Sequence, residues 1–337
     1  MFGTTEYHKP SHAKSASPAC NPSSDPSRSR LKRTAALALC ALLPVAAQLA
    51  READSAAGSC HFTVTSDLHN NTKGYNCVLD AMQARSGGQG AFQISVGDVT
   101  DVAGQTPAAI RKVIDAQFGA QALWYPVVGN HDIRGGKTSA SMKWRREEYQ
   151  TGNTCRPALK NLVGHSGPAG SEETTYSWDC GNAHLVVLNE YWNGKTDPGS
   201  DVATDGDIVP ALLRWLEADL AADKKPFTFV FGHEPAFAKY RHVGNSLDEH
   251  LANRDAFWKV LKQYHVRAFI SGHAHVYYKE LHDGVYQICD GTAGSARGEK
   301  HQTYLDVVVQ SDEAQIHVWQ NDSFGSSKWH LAETITF

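Results

Sequence analysis

Five short polar motifs, each closing an apolar run, constrain what this chain of 337 residues can fold into. They are Asp67-Leu68-His69, Gly97-Asp98-Val99-Thr100-Asp101, Gly129-Asn130-His131-Asp132, Gly232-His233 and Gly272-His273-Ala274-His275. The apolar runs before them, at 61–66, 92–96, 123–128, 227–231 and 266–270, read as strands, and 184–189 is a sixth run. Helical spacing marks 76–85, 107–118, 209–222 and 254–264, between the strands. Strand and helix in alternation predict an α/β layered domain. Ligands gather at the carboxyl ends of strands in such sheets, so five strand ends can converge on one place. The last fifty or so residues change character, with strands at 286–289, 304–309 and 315–319 and no helix between them.

A hydrophobic content of 41% can fill a large core. One domain of about 250–280 residues behind a leader fits the length better than two equal domains. The formal charge is −4, so no global basic field points to nucleic acid or to an anionic membrane. Residues 1–33 form a polar, Ser/Pro-rich leader ending in Arg28-Ser29-Arg30-Leu31-Lys32-Arg33. Residues 34–50 are apolar and then small, the layout of a signal peptide or an anchor. The run is short for a membrane span, which needs about 20 residues. The expectation is a secreted or periplasmic protein whose domain spans 60–337; an uncleaved membrane anchor, or a cytoplasmic chain with a polar tail, are the alternatives.

Five cysteines follow the leader, and none has the spacing of a zinc knuckle. In an oxidising compartment Cys155–Cys180 is the expected disulfide, Cys60–Cys77 a weaker one, and Cys289 the free thiol. Residues 134–182 are rich in Gly and follow the third motif directly, and 191–207 look like a second loop. Long irregular segments inside a domain are usually functional or disordered, and the first is expected to form a lid or substrate wall.

The motif side chains are carboxylates, imidazoles and one amide, with no thiolate. That donor set suits divalent or trivalent Mn, Fe, Zn or Co and argues against a structural zinc. Two ions about 3.5–4 Å apart need a bridging ligand, which a carboxylate supplies, and such a pair clamps a phosphoryl group.

In this order the five motifs resemble the calcineurin-like metallophosphoesterase superfamily, over roughly residues 60–320. The resemblance implies a four-layer α-β-β-α sandwich of two mixed sheets flanked by helices, with the final strands in the second sheet. It implies that Asp67, His69 and His275 bind one metal ion, that Asn130, His233 and His273 bind the other, and that Asp98 bridges them. His131 would touch the phosphate and protonate the leaving oxygen, with Asp101 orienting it and Asp132 supporting the site from behind. The implied reaction is hydrolysis of a small phosphate ester by in-line attack of a metal-bridging hydroxide. Purple acid phosphatases carry a tyrosine where this chain has Asp101, so the chain is more similar to the compact phosphodiesterases, and no intense visible charge-transfer band is expected. Diesters are therefore the first expectation for substrate, with phosphomonoesters next. A protein phosphatase and a non-catalytic metal-binding module are the readings from other classes. Arg241 and His242, just after the fourth motif, are candidate substrate contacts, with a solvated loop as the plain alternative. The sequons at Asn70 and Asn321 are a further surface feature, although Asn70 adjoins a ligand.

Overall fold

The computed structural model describes residues 58–85, 87–136, 139–149, 166–196, 205–297 and 299–337. All lie in one unit, Gln48–Phe337. The signal-like segment and Cys155 lie outside the described residues. Among the described residues no helix is long and apolar enough to cross a membrane.

In chain order the elements are β1 (Cys60–Thr65), α1 (Thr72–Gln83), β2 (Phe92–Ser95), α2 (Ala108–Phe118), β3 (Trp124–Pro126), α3 (Ala140–Tyr149), β4 (Tyr176–Cys180) and β5 (Ala183–Val187). There follow α4 (Pro210–Ala222), β6 (Phe227–Phe231), α5 (Leu251–Gln263), β7 (Ala268–Ser271), β8 (Tyr277–His282), β9 (Val285–Asp290), β10 (Thr303–Val309), β11 (Ala314–Asn321) and β12 (Trp329–Thr336). The first sheet has the order β12-β11-β10-β1-β2-β3, and the second β4-β5-β6-β7-β9-β8. Each is mixed. β1, β2 and β3 are parallel while β10, β11 and β12 add antiparallel strands. β5, β6, β7 and β9 are parallel, with β4 and β8 as antiparallel edges.

Strand parity builds the layers, since successive side chains point to opposite faces. Phe62, Val64, Phe92 and Ile94 of the first sheet share one buried cluster with Leu185, Phe229, Phe231 and Ile270 of the second. The Phe62 ring meets those of Phe229 and Phe231 edge-on, each at 6.2 Å. Each such side chain contributes about 1.5–3 kcal/mol on burial. The alternate residues face outward: Trp124 packs with Leu79 and Ile114 of α1 and α2, and Val186 and Val230 pack with Leu216 and Leu261 of α4 and α5. The result is helices, sheet, sheet, helices, as the resemblance implies.

Several boundaries and pairings differ from expectation. α1 starts four residues before the predicted helix because the Asn71 side chain caps it, accepting from Gly74 N at 3.0 Å. The segment 134–182 is not uniformly irregular, since it contains α3 and β4. β10 and β11, expected in the second sheet, instead join β1 in the first, and β12 extends that edge. The disulfide is Cys60–Cys180, not Cys155–Cys180 or Cys60–Cys77; Cys77 is free, and Cys289 is a buried free thiol as expected. It joins the start of β1 to the end of β4, and so ties the two sheets together at the pole away from the motifs. Asn321 is fully buried, accepts from Gln302 N and donates to Gln302 Oε1, so this sequon faces inward.

Candidate metal centre

β1, β2, β3, β6 and β7 all end at one pole, and their loops are laced together there. Asp67 N donates to Gly97 O (3.2 Å), His69 N to Asp98 O (2.9 Å) and Gly272 N to His233 O (2.9 Å). The turns are sharp enough to drive five residues of the motifs into the left-handed region: Asp67 (φ 53°), His69 (46°), Asp98 (49°), His273 (65°) and His275 (61°). Each such residue costs roughly 1–3 kcal/mol and persists only where its surroundings over-determine it. Here the carboxylates help to do so, since Asp67 Oδ2 accepts from His273 N (3.0 Å) and Asp98 Oδ1 from His131 N (2.8 Å). Gly97 (φ 90°) allows the His233 ring to sit against its backbone, where a Cβ would collide with that ring.

Two donor clusters result. In one, Asp67, His69, Asp98 and His275 each offer an atom, all within 4.8 Å of one another. His275 Nε2 lies 3.1 Å from Asp67 Oδ1 and 3.2 Å from His69 Nε2. In the other, His233 Nε2 lies 3.4 Å from Asp98 Oδ1, 3.3 Å from Asn130 Oδ1 and 3.3 Å from His273 Nδ1. Asp98 belongs to both, because its Oδ2 faces His69 Nε2 at 3.8 Å. All seven side chains expected to ligate metal are therefore brought together. The facing donor atoms stand 3.1–3.8 Å apart.

The polar bookkeeping also fits a cation. Asp67 Oδ1 is buried and faces only the imidazoles of His275 and His69, at 3.1 and 3.8 Å. Turned nitrogen-inward, the Asn130 amide would donate to both Asp98 oxygens at 3.2 Å; turned oxygen-inward, it sets a third oxygen against that carboxylate, an arrangement a cation between them would relieve. Burial alone would raise the Asp67 pKa, but the charge and hydrogen bond of His275, with His233 beyond, hold it at about 2. Burial likewise opposes ionisation of Asp98, yet His233, His131 and His69 pull it well below the usual carboxylate range.

His131 stands beside the first cluster, its ring 4.7 Å from that of His69. Its Nδ1 donates to the Asp101 carbonyl (2.7 Å), with Asp101 Oδ1 at 3.1 Å, two contacts that hold the ring. That leaves Nε2 facing the site. Asp132 is wholly buried. It accepts from Thr100 N (3.0 Å), Gly129 N (3.1 Å) and Arg145 Nη2 (2.8 Å), and so binds the second and third motifs to α3. His242 lies face to the His273 ring at 4.1 Å, beside the second cluster, and Arg241 Nη1 is buried without a hydrogen-bond partner.

Sequence reading missed four contributors. Glu190 Oε2 accepts from His233 N (2.9 Å) and Glu234 N (2.7 Å), fixing the turn that carries His233. Arg145 anchors Asp132. Arg134 Nη2 lies 3.1 Å, and Arg297 Nη1 3.4 Å, from His131 Nε2. Only Arg134, three residues after His131 in the same turn, carried a signal that could have been read.

Comparison with known proteins agrees with this geometry. A family model described as calcineurin-like phosphoesterase matches residues 60–277. An acid phosphatase of Aspergillus ficuum is 27% identical over 169 residues, which are 49% of this chain and 21% of that protein. The chain thus spans about a fifth of that relative's length. Among solved structures, a dimetal phosphatase from Danio rerio is similar with a TM-score of 0.55 and 16% identity, over 82% of this chain and 98% of that one. PhoD is similar with a TM-score of 0.55 and 14% identity, over 83% of this chain and 69% of its own. These two likenesses bear on the fold alone.

Proposed function

Because the chain belongs to the calcineurin-like phosphoesterase family, and so is a phosphoester hydrolase, we propose that it holds two metal ions between its sheets and hydrolyses small phosphate esters there. The observation that carries this reading is the Asp98 carboxylate, one oxygen turned to each donor cluster. Asp67, His69 and His275 would hold one ion, Asn130, His233 and His273 the other, and Asp98 both. Bound ions would supply an acidified water and neutralise charge on the phosphoryl oxygens. The protein's own part is then to orient and to move a proton. Water's oxygen bonds to phosphorus as the ester P–O bond breaks, the water's proton leaves to solvent, and His131, having taken up a solvent proton at Nε2, gives it to the leaving oxygen. Asp101 keeps that ring pointed at the site. His242 and Arg241 would line the wall beside the second cluster.

Diesters are the substrates that the sequence reading puts first. The geometry favours monoesters, through the two guanidinium groups at His131 Nε2, and the Aspergillus relative named as an acid phosphatase supports the same reading. The leader supports export, where such an enzyme would release phosphate from extracellular esters.

The test is turnover of p-nitrophenyl phosphate and bis-p-nitrophenyl phosphate by metal-loaded protein. Faster monoester hydrolysis is expected. Faster diester hydrolysis would return the chain to the phosphodiesterase reading, and no turnover of either by protein with full metal content would refute both.

A further inference from the structure

Arg134 and Arg297 reach the same atom from different parts of the chain. Arg134 follows the third motif, and Arg297 lies in the loop after β9. Arg134 donates from Nη1 to the Asp101 carbonyl at 2.8 Å and from Nη2 to His131 Nε2 at 3.1 Å. Arg297 pairs through Nη2 with the Asp101 carboxylate and brings Nη1 to 3.4 Å from His131 Nε2. Asp101 thus fixes both guanidinium groups as well as the imidazole. With Nδ1 donating to Asp101, Nε2 of His131 has a single lone pair and can accept from one arginine only. The second guanidinium is then left with an N–H aimed at Nε2 that finds no lone pair there, while its other terminal nitrogen stays on Asp101. An anion with several oxygens, seated where Nε2 points, would resolve that crowding. Guanidinium groups match phosphate oxygens two at a time, and such charge-assisted pairs are among the stronger hydrogen bonds.

We propose that Arg134 and Arg297 form a two-pronged clamp for a doubly charged terminal phosphate, and so select monoesters over diesters. The proposal rests on the phosphoesterase reading of the same site. A phosphate monoester carries close to two negative charges at neutral pH and has three free oxygens. A diester carries one charge and two free oxygens, so it has less to offer two cations besides the metal ions. The clamp's entry side is open, since both arginines are exposed while His131 beneath them is buried.

The test uses full-length, metal-loaded protein and the variants Arg134→Ala, Arg297→Ala, Arg134→Lys and Arg297→Lys. Orthophosphate is the binding probe, followed by calorimetry and by its inhibition of ester hydrolysis. Each alanine variant should weaken orthophosphate binding by about tenfold or more, the loss of one hydrogen bond to a charged group. Monoester KM should rise in parallel, diester kinetics should change by less than about threefold, and metal content should stay at the wild-type value. The lysine variants should recover part of the loss, because charge remains and the fork does not. Unchanged orthophosphate affinity would overturn the clamp, as would equal losses on both esters or loss of metal along with activity. If wild-type protein hydrolyses neither ester yet binds orthophosphate through these arginines, the clamp stands and the hydrolytic reading falls.

Discussion

Arg145 Nη2 donates to Asp132 Oδ2 across 2.8 Å, with both side chains almost wholly buried. Arg145 also donates to the Pro126 carbonyl at 2.6 Å, so one side chain from α3 braces β3 and the motif that follows it. Removing one partner of a buried pair leaves a buried charge alone and costs about 3–5 kcal/mol. Arg145→Met should lower the thermal midpoint by that equivalent and weaken metal binding, because Asp132 ties the loops bearing Asp98 and Asn130. Calorimetry with a metal titration checks both, and an unchanged midpoint would mean that the brace is dispensable.

Asp98→Asn should abolish binding of both ions together. The amide keeps the shape but loses the charge and one of the two oxygens, which face different clusters. Elemental analysis of purified protein reads the outcome directly, and two retained ions would show that Asp98 does not bridge.

His131→Ala should lower turnover by about 10²–10⁴-fold, the usual contribution of a general acid, with metal content near normal. Asp101→Asn should have a milder effect, since the backbone carbonyl at 2.7 Å still holds Nδ1. Metal loss in proportion to activity in His131→Ala would make the residue structural.

Stability should fall on the alkaline side through His184. Burial alone would lower its pKa, but Asp179 at 2.7 Å and Asp219 at 2.9 Å raise it to about 9. The folded value exceeds the unfolded one of about 6.5, so the contribution is whole below pH 6.5 and is lost as pH rises through about 9. The difference corresponds to about 3–4 kcal/mol. Chemical unfolding at pH 6 and pH 9.5 should show that decline in wild type and a shallower one in His184→Gln. Parallel declines in the two proteins would remove His184 from the account.

The Cys60–Cys180 bridge closes a loop with a sequence separation of 120. On chain entropy alone such a loop contributes about 5 kcal/mol. Cys60→Ser with Cys180→Ser should therefore unfold at markedly lower denaturant with motif geometry retained, as judged by metal content. An unchanged midpoint would mean that the unbridged chain is already constrained.

The motif ends were legible because each apolar strand stops at a polar residue that has no place in a sheet, and five such stops in order resemble one family. α3 was hidden for the opposite reason. Its buried face is Ser141, Met142, Arg145 and Tyr149, half of it polar, so no apolar period announces it. Arg145 finds its partner only in three dimensions. β8 and β12 are edge strands with mostly half-buried or exposed residues, which blurs the strand pattern. The irregular segment that both flank suggested Cys155 for Cys180, whereas the sheets bring Cys60 to it. Arg297 belongs to no motif, and only the return of the chain after β9 carries it to His131.

The two sheets are fastened at both poles, by a disulfide at one and by side chains of both sheets around the proposed metal centre at the other. One fastening depends on an oxidising medium and the other on a supply of free metal ions, whose binding stabilises the fold by mass action. The working life of this protein is therefore written partly in the solution around it. A reductant would remove the first fastening and a chelator the second, leaving the shared apolar core alone to hold the sheets together.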